Sequence, residues 1–143
     1  MLSLFTDQIR IEMKTGIDIA DISDRINRLA KQSGMDHGSV NATVIGSTGS
    51  ITTIEYEPGV IEDLKNAINR MAPSHIAYEH EKAWHDGNGH SHVQAAIMGP
   101  SIVLPIRWGS LSLGTWQQVV VINHDNRARE RRIEISIIGQ KAE

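Results

Sequence analysis

Along the first thirteen residues apolar and polar side chains alternate, with Leu2, Leu4, Ile9, Ile11 and Met13 set off by Ser3, Asp7, Arg10 and Glu12. A period of two marks a strand with one wet face, and Thr15-Gly16 closes it, so the first element is expected at a sheet edge. The period then changes. From Asp18 to Ser33 the positions Ile19, Ile22, Ile26, Leu29 and Ala30 recur at helical spacing, and Gly34 is placed to end an amphipathic helix. Ser39 to Glu57 is rich in Val, Ile, Thr and Ser and is interrupted by Gly46 and Gly49, which predicts strand, glycine kink, strand. Pro58-Gly59 reads as a turn, after which Val60, Ile61, Leu64, Ile68 and Met71 trace a second helix that stops before Pro73. Beyond Ser101, the runs SIVLPIRWGSLSL, TWQQVVVIN and RRIEISIIG are strand material with turns at Trp108-Gly109 and His124-Asp125-Asn126. Their succession predicts an antiparallel meander within an α+β fold.

The chain has 143 residues, 40% of them hydrophobic and 22% charged, which suits one domain spanning residues 1–143 with a single core. No repeat or linker proposes a boundary. A net charge of -3 gives no broad field for phosphate backbones, so nucleic acid is not an expected partner. No stretch is long and apolar enough for a membrane span, and the opening residues lack a signal peptide's apolar centre, so the expected location is the cytoplasm. Cysteine is absent. Any transition-metal ligation must therefore use histidine and carboxylate.

That chemistry is concentrated in one place. Residues 74–92 hold His75, His80, His85, His90 and His92, five of the seven histidines, with Glu79, Glu81, Asp86 and the Gly87-Asn88-Gly89 turn among them. If His90 and His92 lie on an extended segment they share a face and one ion, with His80 supplied from a neighbouring loop. If a short helix runs instead from about Ser91 to Met98, the two rings diverge by about 200° and His90 is weakened as a ligand. The spacing matches no named zinc motif, and loop histidines also serve as ordinary hydrogen-bonding groups.

Three further constellations stand out. Gly46-Ser47-Thr48-Gly49-Ser50 offers hydroxyls and amides to a phosphate or carboxylate, without the lysine and spacing of a Walker loop; a kinked strand with wet hydroxyls is the plain alternative. Just downstream, Glu55 and Glu57 alternate on one strand face, as a general base or as wet surface. Trp116 in the run Gly114-Thr115-Trp116-Gln117-Gln118 reads as a core aromatic, with Gln117 available to orient a ligand. Arg127, Arg129, Arg131 and Arg132 form the only basic cluster, suited to phosphate or, more plainly, to a solvated hairpin end.

The blocks IGSTGSITTIEYEPG, YEHEKAWHDGNGHSH, MGPSIVLPIRWGSLSLGTWQQ and NHDNRARERR, in that order, resemble the YjbQ-like family, also called the secondary thiamine-phosphate synthase family. The resemblance implies a curved, mostly antiparallel β-sandwich with about two helices packed alongside and a homotrimeric assembly. His80, Asn88 and His92 match family positions, as do Glu55 and the block Gly114, Thr115, Trp116, Gln117. Gly46 stands where many members have histidine, and His90 is available to replace it.

The activity implied by the resemblance joins a pyrimidine pyrophosphate to a thiazole phosphate and releases pyrophosphate. For such chemistry the residues expected to act are Glu55, Asp86 and Gln117, with Ser47, Thr48, Ser50, Asn88 and Arg129 holding a small phosphorylated metabolite. His80, His90 and His92 are expected to hold a divalent metal, zinc first, with magnesium or another ion as alternatives. Hydrolysis of a phosphorylated metabolite and a non-catalytic trimer that binds a metal or anion are the alternative functions.

Overall fold

A computed structural model describes residues 1–143. Strand β1 (Ser3–Met13) buries Ile9 and Met13 and lies at the edge of a five-stranded antiparallel sheet, as its alternation predicts. That sheet also contains β3 (Met35–Val44), β5 (Ser101–Arg107), the short β6 (Ser110–Leu111) and β8 (Arg129–Lys141), in the order β1-β8-β3-β5-β6. A three-stranded sheet, β2-β7-β4, holds β2 (Asp18–Asp21), β7 (Gln118–Asn123) and β4 (Gly49–Ile54). The helices are α1 (Ser23–Gln32), α2 (Pro58–Met71), α3 (His80–Trp84) and α4 (Gly89–Met98). The expected α+β class and mostly antiparallel sheets are therefore present, with four helices where about two were expected. No helix is long and apolar enough to cross a membrane.

Two expectations about the elements need correction. The predicted helix over residues 18–33 divides, because Asp18–Asp21 pairs with β7 and only Ser23–Gln32 is helical. The Asp21 carboxylate accepts the Ser23 amide at 2.9 Å, turning the chain between the two elements. Ile19 satisfies a helical and a strand period equally, so spacing did not separate them. The C-terminal strands do not form a simple meander either. Val119 to Asn123 are all buried, which requires cover on both faces, and β7 obtains it at the centre of the smaller sheet. Strand β8 instead alternates strictly, burying Arg131, Ile133, Ile135 and Ile137, and sits between β1 and β3. The turn at residues 124–126 thus carries the chain from one sheet to the other.

The main core contains Ile22, Ile26, Val121, Ile133, Ile135 and Ile137, and Ile19, Ile68, Val120 and Ile122 form a second cluster. Helix α2 begins with Pro58, whose missing N–H costs nothing in the first turn. Both Glu57 carboxylate oxygens accept there, from the Gly59 and Val60 amides at 2.8 Å each. Glu57 is a helix cap, and those bonds hold its carboxyl below the usual range.

Candidate functional site

The histidine stretch folds as two short helices meeting at a glycine turn. His85 ends α3 in the left-handed conformation, with φ of 52°, and Gly89 opens α4. Only glycine fits at position 89, because a Cβ would lie 2.6 Å from Tyr78 Cβ. The Gly89 amide donates to Glu81 Oε1 at 2.8 Å, tying the start of α4 to α3.

This folding selects among the histidines. The His80 and His92 rings are tilted by 38° with centroids 4.6 Å apart. His80 Nδ1 lies 3.3 Å from Asp86 Oδ1 and 3.5 Å from Glu81 Oε1, and ligand atoms of these three residues fall within 4.8 Å of one another. Neither contact has hydrogen-bond geometry, so Nδ1 is buried without a partner. His90 is a correction to the expected ligand set: α4 is the helical alternative, and it turns His90 away from His92. His90 faces Tyr78, with ring centroids 6.4 Å apart, in a separate cavity of about 440 Å³ shared with Lys82 and His85. Burial lowers its pKa, against the opposing charges of Glu81 and Asp125.

Beside His92 lies a cavity of about 370 Å³ built from three parts of the chain. The β3–β4 loop contributes Gly46, Ser47 and Thr48, the histidine stretch contributes Asp86, Asn88 and His92, and the start of β8 contributes Arg129, Glu130 and Arg131 next to Asp125. Ser47, Thr48, Asp86, Asn88, His92 and Arg129, all singled out in the sequence, thus converge. Asn88 is buried, and its Oδ1 accepts the Asn126 amide at 3.1 Å, fastening the glycine turn to the β7–β8 turn. Buried Asp125 accepts from Thr48 Oγ1 at 2.9 Å, from the Arg127 amide at 3.0 Å and from Arg129 Nε at 3.1 Å. Burial raises the pKa of its carboxyl, but these bonds and one from Asn88 outweigh it and hold the value below the usual range.

Three expected site residues lie elsewhere. Ser50 is fully buried, its Oγ 2.7 Å from His124 Nε2, so it cannot touch a ligand in the cavity. Glu55 follows the far end of β4, roughly 20 Å from Gly49 by strand rise, and lines another cleft with Tyr56 and Trp116. Gln117 staples its own turn, accepting the Gly114 amide at 3.0 Å and donating to Thr53 Oγ1 at 3.2 Å. Trp116 is 74% exposed and not a core residue.

Buried residues hold the site in place: His124 and Gln94, to which the sequence assigned no functional role, and Arg131 of the basic cluster. His124 is 1% exposed, its Nδ1 2.9 Å from Gln94 Oε1, and Gln94 Nε2 donates to the Ala72 carbonyl at 2.9 Å. Because that amide nitrogen is committed to a carbonyl, Gln94 Oε1 accepts from Nδ1–H, leaving Nε2 to accept from Ser50. The network joins α4, β4 and β7. Arg131, 5% exposed, donates from Nη2 to Thr48 Oγ1 and to Asn123 Oδ1 at 2.6 Å each. Its signal was in the sequence, since position 131 shares the period-two phase of Ile133, Ile135 and Ile137.

Comparison with known proteins places this geometry in a family. A family profile described as UPF0047 protein YjbQ-like matches residues 7–140. A UPF0047 protein of Methanothermobacter thermautotrophicus is 27% identical over 139 residues, covering 97% of this chain and 95% of that protein. One from Mycobacterium tuberculosis is 32% identical over 117 residues, 80% of this chain and 88% of its own. Among solved structures, a YjbQ-like protein of unknown function from Sulfolobus solfataricus superimposes with a TM-score of 0.93 at 28% identity, covering 98% of this chain and all of that one. An uncharacterised family protein from Clostridium acetobutylicum gives a TM-score of 0.78 at 28% identity, over 90% of this chain and 98% of its own.

Proposed function

The chain belongs to the UPF0047 YjbQ-like family, whose function is unknown, and from that premise we propose that its cavity works on a small phosphorylated metabolite beside a divalent metal. The observation that carries the reading is His80 Nδ1, buried without a hydrogen-bond partner, against Asp86 and Glu81 and beside the His92 ring. His80, Glu81 and Asp86 bring one imidazole and two carboxylates together, the neighbouring His92 would add a second imidazole to a set that suits zinc, and an orphaned ring nitrogen is where such an ion fits. His80, Glu81, Asp86 and His92 would hold the metal, which when bound supplies charge stabilisation for a departing phosphate. Asn88 and the hydrogen-bonded Asp125 keep the surrounding loops in register.

Family resemblance makes thiamine-phosphate synthesis the first reaction to test. There the carbon–oxygen bond from the pyrimidine to pyrophosphate breaks, pyrophosphate leaves with the electron pair, and the thiazole nitrogen bonds that carbon. Ser47 and Thr48 line the wall where phosphate would sit. In a hydrolytic second reading Asp86 would accept the water's proton and leave the metal to His80, Glu81 and His92; it is favoured by Asp86 lining this cavity while Glu55 lies in a different cleft. A homotrimer, the assembly the family resemblance implies, is part of the same proposal. The test supplies both phosphorylated substrates to zinc-loaded and chelator-treated protein and follows pyrophosphate and inorganic phosphate. Zinc-dependent pyrophosphate release with product formation supports the transfer, phosphate release from either substrate alone supports hydrolysis, and neither product in any arm refutes the enzymatic reading.

A further inference from the structure

Arg131 is a buried cation with no carboxylate of its own. Its Nε and Nη2 are taken up by Asn123 Oδ1 and Thr48 Oγ1, both neutral acceptors, and it forms no ion pair within 4.0 Å. Asp125, the buried acid nearby, is committed to Thr48, to the Arg127 amide and to Arg129. A guanidinium that is 5% exposed and unpaired is costly to hold, and an anion brought to it relieves that cost.

Its remaining nitrogen faces the cavity. Nη1 donates to no protein atom, and it lies against Gly46, where a Cβ would come within 2.9 Å of it. Gly49 leaves similar room, a Cβ there standing 3.3 Å from Arg131 Cζ. The backbone amides of Gly46, Ser47 and Thr48 also donate to nothing in the protein. Three successive amides without a protein acceptor, beside the one uncommitted nitrogen of Arg131, offer donors to an anion. Arg129, which the sequence suggested for this task, also lines the cavity, but its Nε is committed to Asp125.

We propose that Arg131 Nη1 and the amides of Gly46, Ser47 and Thr48 form a seat for the phosphate group of a phosphomonoester, and that the missing side chain at Gly46 keeps the seat open. This deepens the proposed function by naming what one end of the cavity takes. It rests on the cavity serving a phosphorylated ligand and needs no metal.

Inorganic phosphate and methyl phosphate are titrated calorimetrically into the full chain after chelator treatment and dialysis, with circular dichroism on every variant. Both ligands are expected to bind saturably at one per chain. Arg131→Gln and Gly46→Ala are each expected to weaken binding at least tenfold, the latter through its methyl against Nη1 and the strain of a φ of 116°. Arg127→Gln, a charge loss outside the cavity, is expected to stay within twofold. Should Arg131→Gln fail to fold, Gly46→Ala decides. The proposal is overturned by no saturable binding to wild type, by undiminished binding to either folded variant, or by an equal loss in Arg127→Gln. Binding of inorganic phosphate without methyl phosphate overturns the assignment to a monoester. Because metal is removed throughout, a failed seat leaves the histidine site standing, and loss of metal in histidine variants leaves the seat standing.

Discussion

Lowering the pH from 7 towards 4 should remove a definite part of this fold's stability through one residue, His124. Burial first, and then the charges of Arg131 and His90, push its pKa from the ordinary 6.5 down to about 4. The network dictates the same neutral form, because Nε2 must accept from Ser50 while Nδ1 donates to Gln94. Between the two values the unfolded chain binds a proton that the folded chain refuses. Stability is therefore fully present above about pH 6.5 and is lost as pH falls towards 4. The shift corresponds to about 3 kcal/mol, a large share of the stability of a domain this size. Urea unfolding followed by circular dichroism at pH 7, 6, 5 and 4.5 measures it. Carboxylates such as Asp125 also weaken the fold on acidification, so the comparison is with His124→Asn, which cannot titrate. The variant should be less stable at pH 7, with Ser50 and Gln94 poorly partnered, yet should lose distinctly less stability than wild type on acidification. Parallel pH profiles for the two proteins would show that His124 is not the titrating group.

Other expectations test the scaffold around the site. Ile68→Ala opens a cavity beneath the second cluster, beside Ile19, Val120 and Ile122, and should cost about 3 kcal/mol in urea unfolding at unchanged m-value. Gly89→Ala sets a methyl against Tyr78 Cβ and should cost about 1–3 kcal/mol while weakening zinc affinity in a competition titration, because it shifts α4 and His92. Glu57→Ala removes both cap bonds at the start of α2, and faster amide exchange should appear in that helix's first turn and not in α1. Gln117→Ala should leave zinc affinity unchanged, since its hydrogen bonds close a turn outside the cavity.

Much of the architecture is written in local periods. The alternation of β1 and β8, the spacing of α2 and the glycine interruption between β3 and β4 each yielded the right element, because one face of each is buried and the other wet. Information about pairing was missing. Asp18–Asp21 became a strand because β7 offered it an edge, and β7 left the expected meander because its apolar run needs cover on both faces. At the site, residue type found the histidine stretch, the Ser/Thr loop and the arginine cluster. Their geometry depended on whether the chain at His90 was extended or helical, and the helix moved His90 to another cavity and left Glu81 and Asp86 next to His80. The buried members were hardest to see. His124 and Gln94 sit far apart in sequence and acquire meaning only when α4 packs on β4 and β7, whereas Arg131 was betrayed by its phase on β8.

If one divalent metal is held at His80, metal content will show it. Wild type, His80→Ala, His92→Ala, Asp86→Asn and His90→Ala would be loaded with zinc, dialysed and analysed by plasma mass spectrometry, with circular dichroism confirming the fold of each. Wild type and His90→Ala should retain about one zinc per chain, and the other three should lose it. Zinc retained by folded His80→Ala, or lost in His90→Ala alone, would contradict a metal held at His80.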